Sequence, residues 1–254
     1  MFESIPLKSA HVGLLWQHFR DRFPTTEDLP PLDLPLERER EGGQQQPTAQ
    51  LELMSALRFR TWFVSVSGTE VIQVQHDRFA HNWRRGDTDE DYPRYESIRE
   101  AFAHELVLFD RFLREQQIGR VQPKQCEVTY VNQIVAGPAW ASHGDLPQVF
   151  RFLAPETRGF LPTIEDGRFL VRYVIRDQQN AFNRRLHVSV QPAFRTVAER
   201  EEPSFIMTLT ARGRPTEDSI AGALGYLDLG REWVVQGFAE VTTEAMHEAW
   251  GRRR

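Results

Sequence analysis

Three short runs joined by two tight turns constrain this chain more than anything else in it. Residues 57–66 alternate weakly between apolar and polar, Ser67-Gly68 supplies a turn, and residues 70–75 run back. His76-Asp77 then turns the chain into residues 78–84. Strands joined this closely can pair only antiparallel, because a parallel pair needs a long crossover. A meander therefore sits in the first half. On its third strand, period-two alternation puts Phe79, His81 and Trp83 on one face and Arg78, Ala80, Asn82 and Arg84 on the other.

Helices flank the meander. Val12, Leu15, Trp16 and Phe19 fall at helical spacing, which predicts a helix over residues 9–23 capped by Ser9 and stopped by Pro24. The clearest helix spans about 94–116, with an apolar stripe of Tyr95, Ile98, Phe102, Leu106, Phe109 and Leu113. Residues 25–47 are rich in proline, charge and glutamine, and 37–47 read as a mobile surface loop. A strand over 124–135 carries Val128, Tyr130 and Ile134 on one face.

The second half repeats the outline. A short helix near 146–153 precedes strands at about 168–176, 184–191 and 204–211. A helix from about 216 carries Ile220, Leu224, Leu227, Val234 and Phe238, and Thr242 or Thr243 caps a last helix ending near Trp250. The long helix contains Gly222, Gly225, Gly230 and Gly237. Each costs roughly 1 kcal/mol relative to alanine, a cost that points to close backbone packing. The expected architecture is α+β with mainly antiparallel sheet. It comprises two packed halves, 1–136 and 137–254, each reading as helix, three strands, helix, or one continuous domain. No residue-level repeat marks a duplication.

Composition narrows function by exclusion. A formal net charge of −5 argues against a protein whose main task is to neutralise phosphates. The single cysteine, Cys126, rules out an intramolecular disulfide framework and a thiolate metal cluster, and reads as a small core residue. The amino terminus lacks a basic region followed by an apolar run, and no stretch approaches the roughly 18 apolar residues of a membrane span. The expected location is the cytoplasm.

Motif fragments fail on chemistry. His104-Glu105 begins like a zinc-protease helix, but the second histidine position holds Leu108. The pair then reads as a polar helix surface. Residues 87–91 have the carboxylate spacing that begins a calcium loop, but Tyr92 replaces the turn glycine and Ile98 the closing glutamate. Ser142, His143 and Asp145 lie in one short loop, where Asp145 reads as the cap of the helix beginning at Leu146. Sequence neighbours rarely converge as a triad does, and no nucleophile elbow or phosphate-cradling glycine loop occurs. No catalytic residue, metal ligand or cofactor is expected.

One surface stands out. Arg78, Asn82, Arg84 and Arg85, with Trp83 among them and Arg94 following, interleave arginine with an aromatic ring. Arginine and tryptophan are frequent anchors of protein interfaces, so the leading expectation is a non-enzymatic protein that binds a protein partner there. One alternative is an enzyme whose site is assembled from His81, His143, His187, Asp77 and Glu127. The other is a single-stranded nucleic-acid binder using the arginine strand, against which the net charge argues. Homo-oligomerisation is left open.

Residues 71–85, from Val71-Ile72-Gln73-Val74-Gln75 through Asp77-Arg78-Phe79 to Asn82-Trp83-Arg84-Arg85, carry a resemblance, as does Tyr92-Pro93-Arg94-Tyr95. Phe23-Pro24 with Pro30-Pro31-Leu32, residues 128–132 and the ending from Thr242-Thr243 to Trp250-Gly251 add weaker matches. The chain resembles a bacterial and archaeal protein family described as sporadically distributed and without assigned function. Members open with an extended Pro-Ile/Val-Val-Glu-Ala segment, in whose place this chain has Ile5-Pro6-Leu7-Lys8-Ser9-Ala10. The resemblance implies no catalytic residues. Patchy occurrence suggests accessory roles such as toxin neutralisation or phage defence.

Overall fold

The computed structural model describes residues 1–32, 36–37, 59–85, 91–153, 160, 162–175, 184–197 and 199–251. Helices and two four-stranded antiparallel sheets make an α+β fold. The chain divides into two compact units. The first holds residues 1–36, 40–126 and 215–225, and the second holds 37–39, 127–214 and 226–254.

In the first unit, α1 (Ser9–Trp16) leads to β1 (Thr25–Leu29), β2 (Arg60–Val64), β3 (Glu70–Gln75), β4 (Arg78–Trp83) and α2 (Tyr95–Glu115). The sheet order is β1-β2-β3-β4, so the expected meander is present with β4 at one edge. Gly68 adopts φ +73° in the β2–β3 turn, a conformation that glycine reaches without Cβ strain. Register pairs Ile72 with Phe63 and His81, and Val74 with Phe79. That face buries Phe63, Ile72, Val74 and Phe79 against Leu15 and Phe19, and against Phe109 and Leu113 of α2. The Phe79 and Phe109 rings stack at 4.8 Å.

One expectation needs correction here, and two segments take forms that no periodicity marks. The first helix ends at Trp16, and turns carry the chain to Phe23. Residues 25–29 form an edge strand, which needs only one partner. Its Asp28 accepts from Thr61 Oγ1 at 2.7 Å. The opening segment docks rather than forming a strand: Phe2 N and Ile5 N donate to Asp77 O and His76 O.

The second unit takes β5 (Cys126–Val135) from its second residue onward, and Cys126 is buried. A 3-10 turn at His143–Asp145 and α3 (Leu146–Val149) precede β6 (Phe169–Val174), β7 (Arg184–Val197) and β8 (Arg200–Gly213). The sheet order is β5-β8-β7-β6. The β7 and β8 strands run fourteen residues each, longer than the alternation predicts, and are in register from Arg184–Gly213 to Val197–Arg200.

Leu186, Val188, Val190, Met207, Leu209 and Ala211 point to one face, where they pack with Val234 and Val241 of α4 (Ile220–Val241). The glycine expectation holds at three of its four positions, since a Cβ on Gly222 would collide with the Glu217 carbonyl oxygen. A Cβ on Gly237 would lie 2.6 Å from Leu186 Cδ2 and one on Gly230 3.2 Å from Val128 Cγ2, whereas Gly225 faces open space. Thr243 caps α5 (Glu244–Ala249), accepting from Met246 N at 3.4 Å. Among the described residues no helix is long and apolar enough to cross a membrane.

Candidate functional site

The predicted surface separates into exposed and buried parts. Asn82, Arg84, Arg85 and Arg94 are exposed, and Trp83 is half-buried. Arg78 is not part of that surface. At 6% exposure it lies on the sheet face that also buries Gln73 and Gln75. Gln75 exchanges hydrogen bonds with both the Leu32 amide and carbonyl, so this nominally polar face is partly covered.

What remains where β4 ends lies on both faces of the sheet, Trp83 on the face of Phe79 and His81 and Arg84 on the opposite one. The Trp83 ring meets Tyr92 edge to face at 4.9 Å. Arg84 donates from Nε to Gly68 O at 2.8 Å, and its guanidinium lies 5.7 Å from the centre of the Trp62 ring. Arg60 lies over the same ring at 5.3 Å. These contacts fix one arginine before any ligand arrives. The acidic segment 86–90 lies outside the described residues, as do 38–58 and the tail 252–254.

The five scattered polar residues fall into different settings. His81 lies in the first unit between its sheet and α2. Its Nδ1 donates to Glu105 Oε2 at 2.7 Å, and its Nε2 is 3.5 Å from Glu70 Oε2. Arg22 joins both carboxylates, from Nη1 to Glu105 at 3.2 Å and from Nη2 to Glu70 at 2.9 Å. The His81 and Glu105 side chains are only 2% and 5% exposed, so no substrate reaches the imidazole. Glu105 thus corrects the expected polar helix surface: His104 is exposed, while Glu105 points inward. Asp77 accepts from Gln75 Nε2 at 3.0 Å.

His143, in the second unit, places Nε2 at 3.0 Å from both Ala193 O and Ser204 O. Phe194 and Phe205 meet its ring edge to face. Asp145 stands at the expected N-cap position of α3, but its side chain makes no capping bond there. Its carboxylate accepts from Ala141 N and Ser142 N, bonds that hold it below the ordinary carboxylate range, with Ser142 Oγ adding to them against a smaller opposing effect of burial. Imidazole and carboxylate are thus committed to backbone, and the three-residue loop is not a triad.

His187 and Glu127 do meet in one network, on the second sheet's face away from α4. His187 Nε2 donates to Glu37 Oε1 at 2.6 Å, and Arg212 Nη1 is 3.9 Å from that oxygen. Arg212 Nε donates to Glu127 Oε2 at 2.6 Å. Thr129 Oγ1 donates to Glu127 Oε1 at 3.1 Å and lies 3.0 Å from Thr210 Oγ1. Burial pushes the Glu37 carboxyl up. The His187 hydrogen bond, with the charges of His187, Arg212 and Arg185, outweighs that and leaves it below its ordinary value. Glu37 is the one described member of the predicted mobile loop, and it is held, not free.

Sequence reasoning missed Glu105, Glu37 and Arg212. Glu105 had a signal, since it falls three residues after Phe102 and four before Phe109 on the apolar stripe. Arg212 shares the alternation of Thr208 and Thr210. Glu37 had no signal, because nothing periodic surrounds it. Among the described residues no group of three His, Cys, Asp or Glu side chains is arranged to hold a metal ion. Comparison with protein-family models, curated proteins and solved structures found no match, so the family resemblance rests on its motif residues alone.

Proposed function

We propose that this chain is a non-enzymatic binding protein that recognises a protein partner through the surface where β4 ends. Asn82, Trp83, Arg84, Arg85 and Arg94 form that surface. The observation that carries the reading is the fixed Arg84, tied to Gly68 O and lying over Trp62, with the paired rings of Trp83 and Tyr92 flanking the same edge strand on the sheet's other face. An arginine already held in place loses less rotamer freedom on binding, and aromatic neighbours supply large contact area. The cationic side chains favour an acidic partner.

The accessory or toxin-neutralising role implied by the family resemblance suits such a module. Arg84→Glu with Arg94→Glu tests it. Tagged protein isolated from its native cells should carry one stoichiometric protein that the double variant loses while its thermal midpoint holds. Retention of that protein by the double variant would remove this surface from consideration.

A further inference from the structure

The second sheet's face away from α4 carries a cationic notch that already holds a carboxylate. Register sets Arg172, His187 and Thr210 side by side there, with Arg185 and Arg212 paired in the next row. Glu37 comes from no helix or strand, yet its side chain is only 8% exposed. Taking a carboxylate out of water is costly unless cations stand ready to receive it. Here Arg212 supplies a charge and His187 a hydrogen bond, both from strands fixed by their own ladder. Glu127 steadies Arg212 from the other side. The notch is therefore built by the sheet, and Glu37 fills it.

We propose that this notch is a receptor for a glutamate side chain of a partner polypeptide, with Glu37 as the resident occupant that such a chain displaces. The surroundings favour a peptide over a small anion. Val131 and Leu170 lie on the same face, each 66% exposed, and offer apolar contact to the residues beside the incoming carboxylate. A free anion would use neither. The notch shares no residue with the β4 surface, so either reading can fail alone.

The test is an NMR titration of full-length wild type and Glu37→Ala with acetyl-Ala-Leu-Glu-Ala-amide and its glutamine twin. Near-ultraviolet circular dichroism checks folding, and Glu37→Gln replaces the alanine variant if that fails to fold. The emptied notch should bind the glutamate peptide about tenfold more tightly than the glutamine peptide, and about tenfold more tightly than wild type does. Shifts should centre on His187 and Arg212, and adding His187→Ala should abolish them. Equal binding of the two peptides, or no binding, would overturn the proposal. So would displacement of the peptide by inorganic phosphate at equal concentration, which marks a small-anion site. A wild-type dimer that Glu37→Ala dissociates would also overturn it, by making a second copy's Glu37 the occupant.

Discussion

Each unit joins a histidine to a glutamate, an arginine and a second glutamate, but the two groups are assembled in opposite ways. In the first, His81 and Glu105 come from β4 and α2, and both are sealed from water, with Arg22 and Glu70 at the rim. In the second, His187 and Arg212 come from adjacent strands while their shared carboxylate, Glu37, comes from outside any element. The His187 side chain is 21% exposed. The chemistry is the same, but the first group is part of a core and the second can exchange a member. Where a charge originates in the fold decides whether its pair is structure or site.

Glu105→Ala should give the largest effect, because it strands a buried imidazole and frees one arm of Arg22. A loss of about 3–5 kcal/mol in urea unfolding is expected. A loss below about 1 kcal/mol would erase the contrast between the two groups. Replacing both partners, as His81→Leu with Glu105→Leu, should recover most of that loss, since matched apolar groups need no counter-charge.

Glu37→Ala should cost less, about 1–2 kcal/mol, because water can reach the groups it leaves behind. Its pH dependence sharpens the point. A carboxyl held below its ordinary value contributes stability that is complete above the ordinary range near 4.5 and is lost as pH falls through the lowered value. The gap in thermal midpoint between wild type and Glu37→Gln should narrow as pH falls below about 5. A gap that widened on acidification would reverse the assigned sign. The smallest effect belongs to Arg84→Glu with Arg94→Glu, about 0.5 kcal/mol or less, since both side chains are exposed.

The regular elements were the most legible part of the fold. The meander, α2 and the glycine-bearing helix announce themselves through period and turn chemistry, and α2 lies within a residue of its predicted ends. The edge strand β1 was hidden, because Thr25–Leu29 is almost wholly exposed and so shows no alternation. Arg78 was misread because alternation assigns a face without saying whether that face is covered. His81 was correctly placed with Phe79 and Trp83, and Glu105 lay on the stripe that packs over them. A titratable group on each of two facing apolar surfaces was the one legible sign of the buried cluster. The Glu37 notch joins residues far apart in the chain through strand register, which no local pattern encodes.

The long β7–β8 hairpin has a consequence for solubility. β6 accompanies β7 only as far as Val190, and no described strand pairs with that side of β7 from Gln191 to Val197. Such an open margin invites another chain to add itself by backbone hydrogen bonding. Pro192 lies near the start of that stretch and lacks the amide hydrogen an added strand would need, while Arg195 and Glu202 place opposite charges at its far end. A ribbon long enough to nucleate aggregation thus carries its own interruption, and the molecule can expose the hairpin without growing from it.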